Sequence, residues 1–351
     1  MKILALTALL VFSSLSIKAQ TQVTNFTPGV DAYGVNYALP KTGLNIQVLS
    51  NSTSYYPGEF SKYAERYLHI KNVRRMPETK HVISEIRVQS YGIPDTTKYY
   101  TIKLKDKSIA PFVELSDDGV ILSINTTNDT NRELTKIVKP EYKNTKLNSN
   151  EYLTEEILSA NSISKMAELT AAEIYDIRES KNAIMKGQVE TMPKDGASLK
   201  IVIDELEKHE AALMQLFIGY EERGSEIKTF NYIPSEDEEN KLLFRHSGKL
   251  GFVDNDDLAG NAYMIDVKNL HTTPIVEENP KEKKKLNGVM YNMPSLANVK
   301  IYTAQQTYLE KKIPVAQYGN EDILTNTLFN KGATTKVVFN HATGAIEKIE
   351  Q

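Results

Sequence analysis

Cysteine and tryptophan are both absent from this chain of 351 residues. Without cysteine there is no disulfide, no thiolate metal site, no thiol nucleophile and no N-terminal cysteine to carry a lipid anchor. The fold must be held by core packing alone, which a chain of this length can supply. Without tryptophan, an aromatic platform for sugars would have to come from the 19 tyrosines. These cluster at Tyr55, Tyr56, Tyr63 and Tyr67, and at Tyr99 and Tyr100. Tyrosine is also a strong strand former, so strand packing accounts for most of them. The 6 histidines include no pair at i,i+3 or i,i+4, and no H-E-x-x-H occurs, so a zinc-protease helix is excluded. Neither G-x-G-x-x-G nor G-x-x-x-x-G-K-[ST] occurs, so nothing points to a nucleotide, and no cofactor or metal is implied.

Charge of one sign is also lacking: 42 Lys and Arg oppose 45 Asp and Glu. Nucleic-acid binding would need a one-sided basic face. The one basic run, Lys281, Lys283, Lys284 and Lys285, is interrupted by Glu282 and flanked by Glu277, Glu278 and Pro280, so it reads as a solvated loop. No segment after the first residues has 18 consecutive apolar positions, so no transmembrane helix is expected in the mature chain. An outer-membrane barrel would need alternating ten-residue strands along the whole chain, and the long helical pattern in the middle argues against it.

What is present begins at residue 1. Met1 and Lys2 form a positive n-region, Ile3 to Phe12 an apolar h-region, and Ser13 to Ala19 a small and polar c-region. This is a secretory signal peptide over 1–19, too short to cross a bilayer stably. Its removal after Ala19 takes Lys2 and Lys18 away and moves the formal charge from −3 to −5. The sequence therefore predicts an exported protein, periplasmic or on the cell surface, with no lipid anchor.

Hydrophobic periodicity then divides the chain. Leu44, Ile46 and Val48 alternate as in a half-buried strand; Phe60, Tyr63, Ala64, Tyr67 and Leu68 fall at helical spacing. Further strands are predicted at 82–88, 99–104 and 120–124, with turns at Gly92–Asp95 and Asp117–Gly119. Residues 20–125 thus read as a β-rich module with one short helix, and the Asn/Thr/Lys-rich stretch 126–150 as a polar linker. Over 151–219 the period changes. Ile163, Ala167, Thr170, Ile174, Ile177 and Ile184 form one helical stripe, and Leu199, Val202, Ile203, Leu206, Leu213, Leu216 and Phe217 a second. With Gly187, Pro193 and Asp195-Gly196 between them, they predict an antiparallel helical hairpin. Residues 220–351 return to strands. The expected fold is α+β, two β-rich modules flanking a long antiparallel helical hairpin. The pattern G-V-x-Y-x-Φ-P (Φ, aliphatic or Met) occurs at 34–40 and again at 288–294, which suggests two strand starts of related build.

Candidate chemistry is sparse. His209, on the second stripe, has Glu205 at i−4 rather than the Glu-x-x-His spacing of a helical carboxylate-bridged metal centre, so it reads as a half-buried packing residue. Ser247 beside His246 lacks a G-x-S-x-G elbow. Asp254, Asp256 and Asp257 before Gly260 fail the EF-hand template, because Leu258 and Ala259 occupy ligand and turn positions. The surface positions singled out for binding are Arg178 and Glu179 on the first helix and Asp254, Asp256 and Asp257 in the acidic turn.

Several segments carry a resemblance. They are YALPKTGLNIQV (37–48), YAERYL (63–68), SYGIPD (90–95) and ANSISKMAELTAAEIYDIRESK (160–181). They continue in MPKDGASLKIVIDELEKHEAALMQLFIG (192–219), LLFRHSGKLGFVDNDDLAG (242–260), VAQYG (315–319) and TTKVVFNHATGAIEKI (334–349). On these the chain resembles an exported Bacteroidota family, domain of unknown function 4831. The resemblance implies export from a Gram-negative cell; it brings no assigned activity and no catalytic residues. The expected role is non-enzymatic binding to another envelope protein or surface component, with no nucleic acid involved. The alternative is a cell-wall or glycan-directed hydrolase, or a ligand-binding protein, built from Asp/Glu and Tyr.

Overall fold

The computed structural model describes residues 22–25, 34–103, 112–128, 134–143, 145–189, 195–274, 288–325, 328 and 335–350. The signal segment 1–19, the lysine run 281–285 and Pro193 lie outside the described residues. Of the described residues, 49% are strand and 23% helix. The first strands are β1 (Gln22–Asn25) and β2 (Gly34–Tyr56). The helix α1 (Ala64–Leu68) leads to the long β3 (Glu78–Lys103), followed by β4 (Val113–Leu115) and β5 (Ile121–Ile124). Three helices follow, α2 (Glu155–Leu158), α3 (Ile163–Met185) and α4 (Gly196–Ile218). Then come β6 (Tyr220–Tyr232), β7 (Glu238–Ser247), β8 (Gly251–Val253) and β9 (Asn261–Asn269). The chain closes with β10 (Gly288–Tyr302), β11 (Thr307–Thr325), β12 (Lys336–Phe339) and β13 (Ile346–Glu350).

The strands form three antiparallel sheets, ordered β1-β3-β2-β6, β11-β10-β9-β7-β8 and β13-β12-β5-β4. Period-2 alternation puts Leu44, Ile46 and Val48 of β2 on one face, where they pack on Phe244, Ile265, Val267, Val299 and Val315 of the five-stranded sheet. Full burial of each such side chain contributes about 1.5–3 kcal/mol, so this sandwich is the main core. A second core joins the start of β2 to the starts of β10 and β12, through Tyr37, Leu39, Ile121, Val289, Val337 and Phe339. The opposite face of β2 carries Asn45 and Gln47, both buried. It is covered by part of the 126–150 stretch: Ile137 is buried there and its N–H donates to Gln47 Oε1 (2.8 Å).

The two G-V-x-Y-x-Φ-P segments open β2 and β10, and they touch. The Tyr37 hydroxyl accepts from Met290 N–H (2.9 Å), and Asn292 Nδ2 donates to Pro40 O (3.0 Å) and Thr343 O (2.9 Å). Each strand shifts register beside its proline, between Ala38 and Pro40 and between Met293 and Ser295. Proline lacks the N–H that the ladder needs, so each pairing slips there.

The expected α+β class, two β-rich modules flanking a long antiparallel helical hairpin, is corrected: the chain is mostly β, built on three antiparallel sheets. Strands from both sides of the helices share sheets, since β6 pairs with β2 and β12 pairs with β5. Gly92–Asp95 is not a turn but lies inside β3, where Pro94 sits opposite Pro40. The helices are secondary to this frame. Ala167, Ala171, Ile174, Ile177, Leu213 and Phe217 bury against Phe60, Ala64 and Leu68 in the connection from β2 to β3. The stripe residues Ile163 and Val202 stay exposed.

Candidate ligand-binding cleft

A cleft of about 410 Å³ opens where α4 ends and β6 begins. Three segments line it: Pro57–Glu59 after β2, Lys146–Asn150, and Gln215, Leu216 and Tyr220 around the end of α4. Each is fixed by hydrogen bonds to α4 or its neighbours. Phe60 N–H donates to Leu216 O (2.7 Å), drawing the 57–60 turn onto the last carbonyls of α4. Gly58 is required there, because a Cβ would lie 2.3 Å from Leu216 O. Gln215 holds the second wall in both directions. Its Oε1 accepts from Leu147 N–H (2.9 Å) and its Nε2 donates to Thr145 O (2.6 Å). Ser149 Oγ donates to Ala212 O (2.7 Å). The chain then reverses at Gly219, whose φ of +75° suits glycine.

Adjacent tyrosines alternate at the sheet end, as strand geometry dictates. Tyr55 points inward and is buried, with its hydroxyl 2.8 Å from both Arg74 O and Ile218 O. Burial raises its pKa above the usual phenol value, and the Arg74 guanidinium, stacked 3.7 Å over the ring, opposes that rise. Tyr56 points outward, 39% exposed, and stacks on its cross-strand partner Tyr220 with ring centroids 5.1 Å apart and planes 22° apart. Lys146 Nζ lies 5.6 Å from the Tyr220 centroid. The cleft therefore offers the ring of Tyr220, with Tyr56 stacked on it at the edge, an amide at Asn150, a second at Asn148 whose Nδ2 donates to Glu151 Oε1 (2.7 Å), one carboxylate at Glu59 and one ammonium at Lys146.

The positions chosen from sequence lie elsewhere, in two separate places. Arg178 faces α4: its Nε donates to Glu210 Oε1 (2.6 Å), while Lys181 Nζ reaches Glu210 Oε2 (3.0 Å). Burial raises the Glu210 carboxyl, and the bonds and charges of Arg178 and Lys181 outweigh it, holding it below the usual range. Arg178 thus ties two helices together, and Glu179 beside it is exposed. Asp254, Asp256 and Asp257 occupy the turn between β8 and β9. Asp257 Oδ1 accepts from Ala259 N–H (2.8 Å), and Arg245 donates to the turn carbonyls of Asn255 (2.8 Å) and Gly260 (3.0 Å). Among the described residues no group of three or more His, Asp or Glu could hold a metal ion. His209 stacks on Tyr152, centroids 4.6 Å apart.

Sequence reasoning placed Tyr56 in a tyrosine cluster and Pro57-Gly58 in a turn, but missed Gln215 and Tyr220. No local signal marks a glutamine as the clamp for a segment 68 residues away. His246 and Ser50 form another pair not foreseen, Nε2 to Oγ 2.8 Å, both buried. Phe252 and Tyr263 enclose that histidine edge-on, so the pair is a packing feature of the core rather than a site open to substrate.

Fold and cleft together describe a mostly β protein with a cleft at the end of one sheet. The chain belongs to the family described as a domain of unknown function (DUF4831), which matches residues 33–347. No curated protein and no solved structure matches it. Among the described residues no helix is long and apolar enough to cross a membrane.

Proposed function

We propose that this is an exported envelope protein that acts by binding, without catalysis, and that the cleft at the end of α4 holds its ligand. The observation that carries the reading is the cleft's construction: its walls are tied to α4 through Gln215, Ser149 and Phe60 before any ligand arrives. Preorganisation of this kind lowers the ordering cost of binding. A glycan hydrolase needs two carboxyl groups flanking the scissile bond, and Glu59 is the one carboxylate among the cleft's lining residues. Export rests on the sequence of residues 1–19, and the bacterial envelope as destination rests on the family resemblance.

Two measurements test this. Expressed from its native start in a Gram-negative host, the protein is expected outside the cytoplasm with Gln20 as its first residue. A full-length cytoplasmic product overturns the export reading. Cross-linked capture from envelope extracts is expected to retain a component with the wild type and lose it with Tyr56→Ala. Equal retention by both, or by neither, counts against binding through this cleft.

A further inference from the structure

We infer that the cleft takes a neutral saccharide, an inference that rests on the cleft being the binding site proposed above. The ring of Tyr220 lines the cleft, and Tyr56, next to the lining residue Pro57 and exposed, stacks on it at the cleft's edge. The C–H face of a pyranose ring packs on such a surface because the ring's negative π face attracts weakly positive C–H groups and both are released from water. Hydroxyls around the same sugar need a dense set of donors and acceptors. Glu59 supplies a carboxylate acceptor, Asn150 an amide, Asn148 (whose Nδ2 donates to Glu151 Oε1, 2.7 Å) its amide oxygen, and Lys146 an ammonium on a flexible stem.

Other ligand classes fit less well. The cleft lies at the C-terminal end of α4, where the helix dipole is negative, and Glu59 adds a full negative charge beside it. An anion such as a phosphate or nucleotide meets that field with Lys146 as the single cationic lining residue. A peptide added as a strand would need a row of unpaired backbone groups. Here Phe60 N–H, Leu147 N–H and Thr145 O already bond to α4 or Gln215. An apolar ligand would take water from the charged lining groups Glu59 and Lys146 and offer them no polar partner.

The experiment uses the mature chain and three probes: cellotetraose, maltotetraose and the β-1,4-linked N-acetylglucosamine tetramer, each titrated by calorimetry and followed by saturation-transfer NMR. At least one is expected to bind. Tyr56→Ala and Glu59→Gln, both at exposed positions, are expected to weaken that binding about tenfold or more with an unchanged thermal midpoint. Tyr56→Phe, which keeps the ring, is expected to stay within about threefold of wild type. If none of the three binds while Tyr56-dependent capture of an envelope component persists, the saccharide inference falls and the binding reading stands. Saccharide binding that all three variants leave intact removes the cleft as its site.

Discussion

His246 shows how burial at a single position sets a solution property. It is 4% exposed, ringed by Phe252 and Tyr263 and bonded to Ser50. Burial first, and the nearby His81 second, push its pKa down from 6.5 to about 4. The unfolded chain therefore takes up a proton at this residue before the folded one does. The stability it loses is intact above pH 6.5, declines as the pH falls toward 4, and levels off below. By the shift this amounts to on the order of 3 kcal/mol. Urea unfolding between pH 7 and pH 4 should show that decline, and His246→Phe should flatten it. An unchanged slope in the variant would assign the acid sensitivity to other groups. None of this was legible locally, since R-H-S-G-K reads as a polar turn. The aromatic residues that surround His246 arrive from β8 and β9, and only strand pairing brings them there.

Helices and strands differ in how far their own sequence specifies them. The period-3.6 stripes placed α3 and α4 to within a few residues, because each helix satisfies its backbone internally and its caps are local. Ser162 and Asp195 accept from Lys165 and Ser198 N–H groups at the two N-termini. What the stripes did not show is where burial stops. Ala167, Ala171, Ile174 and Ile177 and, on the other helix, Ala212, Leu213 and Phe217 are buried, whereas Met185 and Ile201, nearer the loop between the helices, are exposed. There the contact is electrostatic, through Arg178, Lys181 and Glu210. A double-mutant cycle on Arg178→Ala and Glu210→Gln is expected to return a coupling of about 1 kcal/mol in urea denaturation, since Glu210 is largely shielded and bonded to two cations. A coupling near zero would make the pair a solvated ornament of the surface. For strands the local signal misleads at breaks. Gly92-Ile93-Pro94-Asp95 has turn composition, yet the chain runs on as β3, and the pairing with β2 absorbs the break by a register shift from Ala38 opposite Tyr99 to Pro40 opposite Pro94.

At the scale of the molecule, the ends of the described chain close the structure. Val337 and Phe339 of β12 are fully buried beside Ile121 and Ile124. Asn128 donates to Phe339 O (3.1 Å), and Thr42 Oγ1 donates to Ala342 O (2.9 Å). A chain ending at residue 334 loses β12 and β13 and exposes β5 as an unpaired edge. It is expected to lose cooperative unfolding and become protease-sensitive throughout. A truncated chain with an unchanged thermal midpoint would show that the first 334 residues hold the core unaided. The sequence by itself determined the absence of cysteine chemistry, the two amphipathic helices and the strand-forming stretches. All of these follow from composition or from periodicity over a few turns. The tertiary structure alone decided that the class is mostly β, which strands share a sheet, and that Glu59, Lys146, Gln215 and Tyr220 line one cleft. Strand partners and cleft walls are contacts between residues tens to hundreds of positions apart, and no local period encodes which distant segment fills the unpaired edge or face.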